Sequence, residues 1–454
     1  MGQRAESIWR AYDIRGVYPR EVNAEVFAAL GRAFAEVTKA QTIAVGRDVR
    51  LSGPQLQQAM IDGLVRAGVN VVDLGVVPTE MIYFAAGEFD YDGAVIVSAS
   101  HNPAEYNGAK FIGPQARPLD PGGDFARLKA LAKANRFLDA DSNGQVTKRD
   151  LTEAYIDKVL SLVDRTKLKP LKIVINPNFG AVCSTIKALA ARLSPAIIGE
   201  IIGLNDQIDG SFPKGRPDPL RPETRPETIQ LIRQTKPAFG AAWDADGDRV
   251  FFYDEDGQFI DGYYIVALLA RYFLEKSPGS TVIYDQRAWW ATDDLARESG
   301  GRASAAQVGH VFFKQALRSD RAPYGGELSG HHYFRDFYSC DSGLIPFLII
   351  WQMVSEKGSL AELIRPLQEK YPISGELNFT VAEPLVTIGQ LAKKYQQFSQ
   401  DSFDGLTIFD AREWSVNIRA SNNEPLLRLN VQATSQPLVE QKVQELTEAI
   451  QAIG

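Results

Sequence analysis

Three times along this chain, a short run of β-branched and apolar residues ends on a polar side chain and gives way to a helical pattern. The runs are Ile43-Ala-Val-Gly46 leading to Asp48, Leu171-Lys-Ile-Val-Ile175 leading to Asn176, and Ser280-Thr-Val-Ile-Tyr284 leading to Asp285. A strand followed by a crossover helix returns to its sheet as a parallel neighbour, so the pattern predicts α/β units with largely parallel sheets. The first unit reads most fully. Val26, Phe27, Leu30, Phe34 and Val37 recur at helical spacing behind Asn23 as cap, and a second helix starts near Pro54 and stops at Gly68. Strands are expected at 69–74 and at Gly93-Ala-Val-Ile-Val97. In the second unit a helix carries Tyr155, Val159 and Leu162, another lies around Ile186 and Leu189, and a strand follows near 197–202. The third unit has a helix near 292–298. The tail differs, with strands at 407–412, 415–419 and 426–431 and a helix carrying Val439, Val443, Leu446 and Ile450. We therefore expect three similar mixed α/β domains, over 1–145, 146–257 and 258–369, and a C-terminal α+β domain over 370–454.

Charge narrows the partners. A net charge of −7 leaves no global basic field for nucleic acid or anionic lipid, so an anionic ligand must be held by local arginines and lysines. The two cysteines, Cys183 and Cys340, lie far apart and form neither a disulfide framework nor a zinc pattern, which fits a reducing cytoplasm. The richest apolar run, Leu344-Ile-Pro-Phe-Leu-Ile-Ile-Trp351, is too short to span a bilayer. No signal-type segment follows the first residues, so the expectation is a cytoplasmic protein, monomeric or weakly oligomeric.

Four loops could carry the chemistry, although each, taken alone, also reads as a plain polar or glycine turn. Ser98-Ala-Ser-His-Asn-Pro103 follows the strand at 93–97, with Asn107-Gly108 and Lys110 close behind. A hydroxyl there would sit on a rigid base, open to a ligand at the carboxyl end of a strand. Asp244-Ala-Asp-Gly-Asp-Arg249 sets three carboxylates at alternate positions between two apolar runs. Their mutual repulsion calls for a hard cation, Mg²⁺ or Ca²⁺ rather than zinc. An EF-hand would need glycine where Arg249 stands and helices where strands are expected, whereas Mg²⁺ keeps coordination positions for phosphate oxygens. Gly325-Gly-Glu-Leu-Ser-Gly-His-His332 offers Glu327, Ser329 and His331, a set suited to sugar hydroxyls, and Gly309-His310, Lys314 and Arg287 add donors. Arg419-Ala-Ser-Asn-Asn-Glu-Pro425 groups a guanidinium, a hydroxyl and two amides as a phosphate cradle. Near the start, Trp9-Arg-Ala-Tyr-Asp-Ile-Arg-Gly16 places Arg15 to pair with Asp13 or to reach a ligand, the ion pair being the simpler reading.

In this order over nearly the whole chain, these loops resemble the α-D-phosphohexomutase superfamily, most closely its phosphomannomutase/phosphoglucomutase branch. The segment around Tyr12 and Arg15 and the turn Asn107-Gly-Ala-Lys110 strengthen the likeness. The resemblance implies four domains around a central cleft, with Ser100 carried as phosphoserine. Ser100, Asp244, Asp246 and Asp248 would hold Mg²⁺, and Arg15, His101, Lys110 and Arg249 would surround the phosphoryl in transfer. Glu327 and Ser329 would hold the 3- and 4-hydroxyls of the sugar, and Arg419, Ser421, Asn422 and Asn423 the phosphate that is not reacting. His331 would serve in acid–base work, and Tyr12, Arg287, Gly309 and His310 would complete the substrate site.

The implied reaction interconverts a hexose 1-phosphate and 6-phosphate through a 1,6-bisphosphate, which is also the activator. The likeness is not complete. Asn423 stands where many members have threonine, and Arg287 where relatives have lysine. Leu328 replaces a frequent methionine and argues against the phosphoglucosamine branch, which tends to place glutamine there. Phe212-Pro-Lys-Gly-Arg-Pro-Asp-Pro219 also varies a family pattern. These changes bear on sugar preference. Rival readings are a phosphoglucosamine mutase, a phosphatase with Asp244 as nucleophile, and a non-catalytic sugar-phosphate or Ca²⁺ binding protein.

Overall fold

The computed structural model describes residues 6–194, 197–420 and 426–453. They divide into two compact units, one of residues up to 259 together with 330–360, the other of 260–329 with 361 onward.

In the first unit, strands Thr42–Arg47, Asn70–Val76 and Gly93–Val97 run parallel at the centre of the first sheet. Tyr106–Ile112 joins antiparallel to Gly93–Val97, and Ile14–Val17 extends that edge antiparallel. The sheet is thus largely parallel with an antiparallel margin, as its crossover helices require. Helix Ala24–Thr38 begins as expected, the Asn23 side chain accepting from Val26 N at 3.0 Å. It packs against helix Gly53–Arg66 so closely that a Cβ on Gly63 would lie 2.2 Å from the Ala28 carbonyl oxygen. Side chains between these helices and the sheet, among them Phe27, Leu30, Phe34, Met60, Leu64 and Val95, form a dry core.

The second α/β repeat has Lys172–Asn176 parallel to both Glu200–Gly203 and Phe239–Trp243, with Val250–Tyr253 antiparallel to the latter. The strand expected from 197 begins only at Glu200, because Ile197 and Ile198 donate to the Ser194 carbonyl and hold the chain in a turn. The apolar run at 344–351 lies in the buried helix Leu344–Lys357, and Pro346 is tolerated because it falls in the first turn. Among the described residues no helix is long and apolar enough to cross a membrane.

In the second unit, Thr281–Asp285 pairs in parallel with Arg302–Ala306 and with Tyr324–Gly326. Helices Gly262–Lys276, Trp290–Glu298 and His310–Asp320 belong to the same repeat. The tail is an antiparallel sheet of Ile373–Thr380, Leu426–Ala433, Trp414–Ala420, Leu406–Asp410 and Ser399–Asp401. Its helices Pro384–Lys394 and Gln436–Ile453 contribute Leu391, Leu446 and Ile450 to a core with Ile408, Val416, Ile418 and Leu429. The strand expected to reach 412 stops at Asp410, where Ala411 takes a positive φ of 45° and turns the chain. Three mixed α/β domains and a C-terminal α+β domain account for the whole.

Candidate active site

The strand Gly93–Val97 delivers Ser98 and Ser100 to the carboxyl edge of its sheet. Ser98 Oγ accepts from Ser100 N at 2.9 Å, a local turn that helps place Ser100 at a φ of 50°. Its hydroxyl is not open, as the strand-end position suggested: Ser100 is 1% exposed and donates to Asp244 Oδ2 at 3.1 Å. His101 Nδ1 lies 3.2 Å from the same hydroxyl.

Asp244, Asp246 and Asp248 are wholly buried on a loop that folds on itself, Gly247 N and Arg249 N both donating to Asp244 Oδ1. Gly247 has a φ of 78°, which glycine adopts without penalty. Oxygens of the three carboxylates lie within 4.8 Å of one another. Lys110 Nζ reaches two of them, Asp246 Oδ2 at 3.0 Å and Asp248 Oδ2 at 2.5 Å. Thr79 Oγ1 donates to Asp246 Oδ2 at 2.7 Å and Ser98 Oγ to the same oxygen at 3.3 Å. Asp246 Oδ1 and Asp248 Oδ1 are buried without a hydrogen bond. Three carboxylates so close-set, two of them with a buried oxygen that no hydrogen bond satisfies, fit a hard divalent cation such as Mg²⁺. A second group, Asp248, His331 and Asp341, is equally close-set but shares Asp248.

The charges interlock. Burial, reinforced by its two neighbouring carboxylates, pushes the Asp244 carboxyl well up. Burial acts the same way on Asp248, but Lys110, His331 and Arg249 outweigh it and hold that carboxyl well below its ordinary range. Burial opposes the charge on Lys110 while Asp246 and Asp248 more than compensate, so its ammonium is held charged. Burial, with Arg249 and Arg15 nearby, drives the His101 imidazole well down, so it is neutral at physiological pH. Arg249 Nε lies 3.1 Å from His331 Nε2, which is itself 3.5 Å from Asp248 Oδ1. Arg15 makes the ion pair of the simpler sequence reading, with Asp13 at 3.2 Å, and also donates to Asn102 Oδ1 of the Ser100 loop at 2.9 Å. Tyr12 is half-buried, two residues before the edge strand Ile14–Val17.

The second unit holds the other named residues. Glu327 is buried and accepts from Gly309 N at 3.0 Å, which brings Gly309 and the start of helix His310–Asp320 to its loop. Leu328 N, between Glu327 and Ser329, donates to Asp285 Oδ2 at 2.8 Å. Lys314 is buried on the same helix as His310. Arg287 is buried in ion pairs with Asp285 at 2.6 Å and Glu376 at 2.9 Å. Arg419 is buried on strand Trp414–Ala420. Ser421, Asn422 and Asn423 lie outside the described residues.

Sequence reasoning missed Arg50, Thr79 and Asn178, each of which holds a functional loop from a distant part of the chain. The polar strand ends Asp48 and Asn176 marked the turns that carry Arg50 and Asn178, and no such mark preceded Thr79.

Four family profiles match the chain in order. They are phosphoglucomutase/phosphomannomutase α/β/α domain I over residues 6–137, domain II over 153–257, domain III over 261–371 and the C-terminal domain over 376–449. The phosphomannomutase of Vibrio cholerae is 41% identical, covering 98% of this chain and 98% of that protein. That of Escherichia coli K12 is 41% identical, covering 96% and 97%. A crystal structure of a phosphoglucomutase/phosphomannomutase family protein from Burkholderia thailandensis superposes with a TM-score of 0.85 at 31% identity, covering 100% of this chain and 98% of that one. Four domain profiles in register and relatives alike over nearly their full length lead to one conclusion: this chain belongs to the phosphoglucomutase/phosphomannomutase family of the α-D-phosphohexomutase superfamily.

Proposed function

We propose that the protein interconverts hexose 1-phosphate and hexose 6-phosphate, with mannose, glucose or both as the sugar, by transfer through Ser100. One observation carries this reading: the Ser100 hydroxyl rests 3.1 Å from a carboxylate of the close-set Asp244–Asp246–Asp248 group. A serine buried against carboxylates needs cations before a phosphoryl group can sit on it, and Lys110 and Arg249 are charged and adjacent to those carboxylates.

In the forward half-reaction a free sugar hydroxyl attacks phosphorus of phosphoserine. The new P–O bond forms as the P–Oγ bond breaks, leaving Ser100 Oγ and a hexose 1,6-bisphosphate. The proton of the attacking hydroxyl passes to a base, with His331, Lys110 and Arg15 as the group from which base and proton donor are drawn. The bisphosphate then presents its other phosphate, and the reverse transfer restores phosphoserine. Lys110, Arg249, His101 and Arg15 stabilise the equatorial oxygens in flight. Mg²⁺ held by Asp244, Asp246, Asp248 and the phosphate on Ser100 would supply further charge neutralisation. Glu327 and Ser329 take the sugar hydroxyls in either orientation, and Arg419, Ser421, Asn422 and Asn423 take the resting phosphate. In this reading Tyr12, Arg287, Gly309 and His310 are the further substrate-binding residues.

A dephosphorylated enzyme needs the 1,6-bisphosphate as activator. Two buried free thiols support a reducing, cytoplasmic setting, and we take the protein to be a monomer or weak oligomer. The test is ³¹P NMR of the protein with Mg²⁺, glucose 1-phosphate and a trace of glucose 1,6-bisphosphate, with mannose 1-phosphate in parallel. Growth of the 6-phosphate signal that Ser100→Ala abolishes supports the mutase. Release of inorganic phosphate that survives this substitution would instead make the protein a phosphatase acting through Asp244.

A further inference from the structure

In each α/β repeat, the strand that ends on a polar residue is the parallel neighbour of the strand that launches a functional loop. Arg47 pairs with Val97, just before Ser98; Asn176 pairs with Ala242, just ahead of Asp244; and Tyr284 pairs with Gly326, just before Glu327. The three polar strand ends close the same turn. Asp48 Oδ1 accepts from Arg50 N, Asn176 Oδ1 from Asn178 N and Asp285 Oδ1 from Arg287 N, each at 3.0 Å. From every turn a side chain then reaches the neighbouring loop. Arg50 donates to backbone carbonyls of the Ser100 loop, Asn178 Nδ2 donates to the Trp243 carbonyl at 2.7 Å, and Asp285 Oδ2 accepts from Leu328 N at 2.8 Å.

We propose that this strand-end turn is the device that positions the functional loop in all three repeats, and that Arg50 is the positioning residue for the Ser100 loop. The inference rests on that loop carrying the transferred phosphoryl. Arg50 is 0% exposed. Its Nη2 donates to Ser100 O at 2.6 Å and Asn102 O at 2.7 Å, its Nη1 to Pro103 O at 2.5 Å and Tyr106 O at 3.0 Å, and its Nε to Asp48 Oδ2 at 3.1 Å. All the N–H groups of the guanidinium are thereby used. Its Cζ lies over the Phe212 ring, 5.1 Å from the ring centre, a cation–π contact. Carbonyls converging on one buried point repel one another unless a cation sits there, so the loop takes this shape around Arg50.

Ser100 itself needs such support. Its φ of 50° is unfavourable for a residue with a Cβ and persists only where the surroundings over-determine it. Arg216 Nε holds the intervening His101 carbonyl at 3.0 Å, so the loop is collared by two arginines. Because a trans peptide is planar, turning Ser100 O toward Arg50 sends the His101 N–H to the opposite side.

Full-length Arg50→Lys and Arg50→Ala decide the matter. Lysine keeps the charge but cannot span these carbonyls, so kcat should fall about 10-fold or more in Arg50→Lys and about 100-fold or more in Arg50→Ala, with KM within about threefold of the parent. Amide hydrogen exchange over 99–106 should speed about tenfold or more in both variants, whatever the activity. Guanidinium ion should restore part of the lost kcat in Arg50→Ala and none in Ser100→Ala. A folded variant with parental exchange over this loop, or whose loss lies in KM rather than kcat, overturns the proposal. Should Arg50→Ala fail to fold, Arg50→Lys decides by the same readouts. A parent enzyme without mutase turnover would sink the functional reading alone, and the exchange comparison would still test the positioning role.

Discussion

At the end of strand Thr42–Arg47 the turn presents a guanidinium to the next loop; at the end of strand Lys172–Asn176 an equivalent turn presents a carboxamide. The hydrogen bond that closes the turn is the same length in both, and the two loops account for the difference. The Ser100 loop turns its backbone carbonyls inward and so supplies the negative ends that a buried cation satisfies. The Asp244 loop closes on its own side chain, Gly247 N and Arg249 N both donating to Asp244 Oδ1, and takes from this turn one amide bond, to the Trp243 carbonyl that precedes it. A further fixed cation there, beyond Lys110 and Arg249, would compete with a metal for the same carboxylates. Where the backbone provides the negative ends the repeat uses arginine, and where side chains provide them it uses a neutral amide.

The comparison can be broken at several points. Ser100→Ala should have the largest effect, a loss of at least about 1,000-fold in kcat, because no neighbouring group replaces the nucleophile. A coupled assay for 6-phosphate formation measures it. Asp246→Asn should cost about 100-fold and weaken Mg²⁺ binding by titration calorimetry, since Asp246 meets Lys110, Thr79 and Ser98 on one oxygen and leaves the other for a metal. Chelation of Mg²⁺ should abolish turnover in the parent, and re-addition should restore it. Asn178→Gly keeps a residue suited to the local φ of 47° and removes only the bond to Trp243 O, so it should lower kcat by about tenfold or less. If Asn178→Gly proves as damaging as Arg50→Ala, the distinction between the two repeats is lost.

The smallest effect concerns stability alone. Burial pushes the Glu80 carboxyl from an ordinary value near 4.5 up to about 7, against the hydrogen bond from Ser342. The folded state therefore keeps this proton while the unfolded chain loses it. Stability should fall as pH rises from 4.5 toward 7 and level off above that. Glu80→Gln should remove that slope, a difference on the order of 3 kcal/mol by pH 7, read from denaturant midpoints across the range.

Local features were legible in the sequence because their causes are local. Asn23 caps its helix three residues on, and the alternating aspartates converge because one short loop carries them. Contacts between distant segments were not legible. Arg50 meets Ser100 O only after strands Thr42–Arg47 and Gly93–Val97 pair, and Thr79 meets Asp246 only after the first two repeats pack together. The burial of Ser100 escaped for the same reason, since the carboxylate that covers it lies on another repeat. Asp48, Asn176 and Asp285 were visible as polar strand ends, but their shared task depends on which strand lies beside each, and that is a property of sheet order.

The first unit is assembled from two stretches of chain separated by residues 260–329, and this orders events during synthesis. Trp243 Nε1 donates to Gly343 O, and the rings of Phe239 and Phe347 pack tilted with centres 5.9 Å apart. A ribosome adding roughly 5–20 residues per second leaves these aromatic groups without their covering helix for several seconds after the aspartate loop has emerged. Newly made chains should be most vulnerable to proteases and most dependent on holding chaperones in that interval, and a slow codon cluster placed between the two stretches would lengthen it.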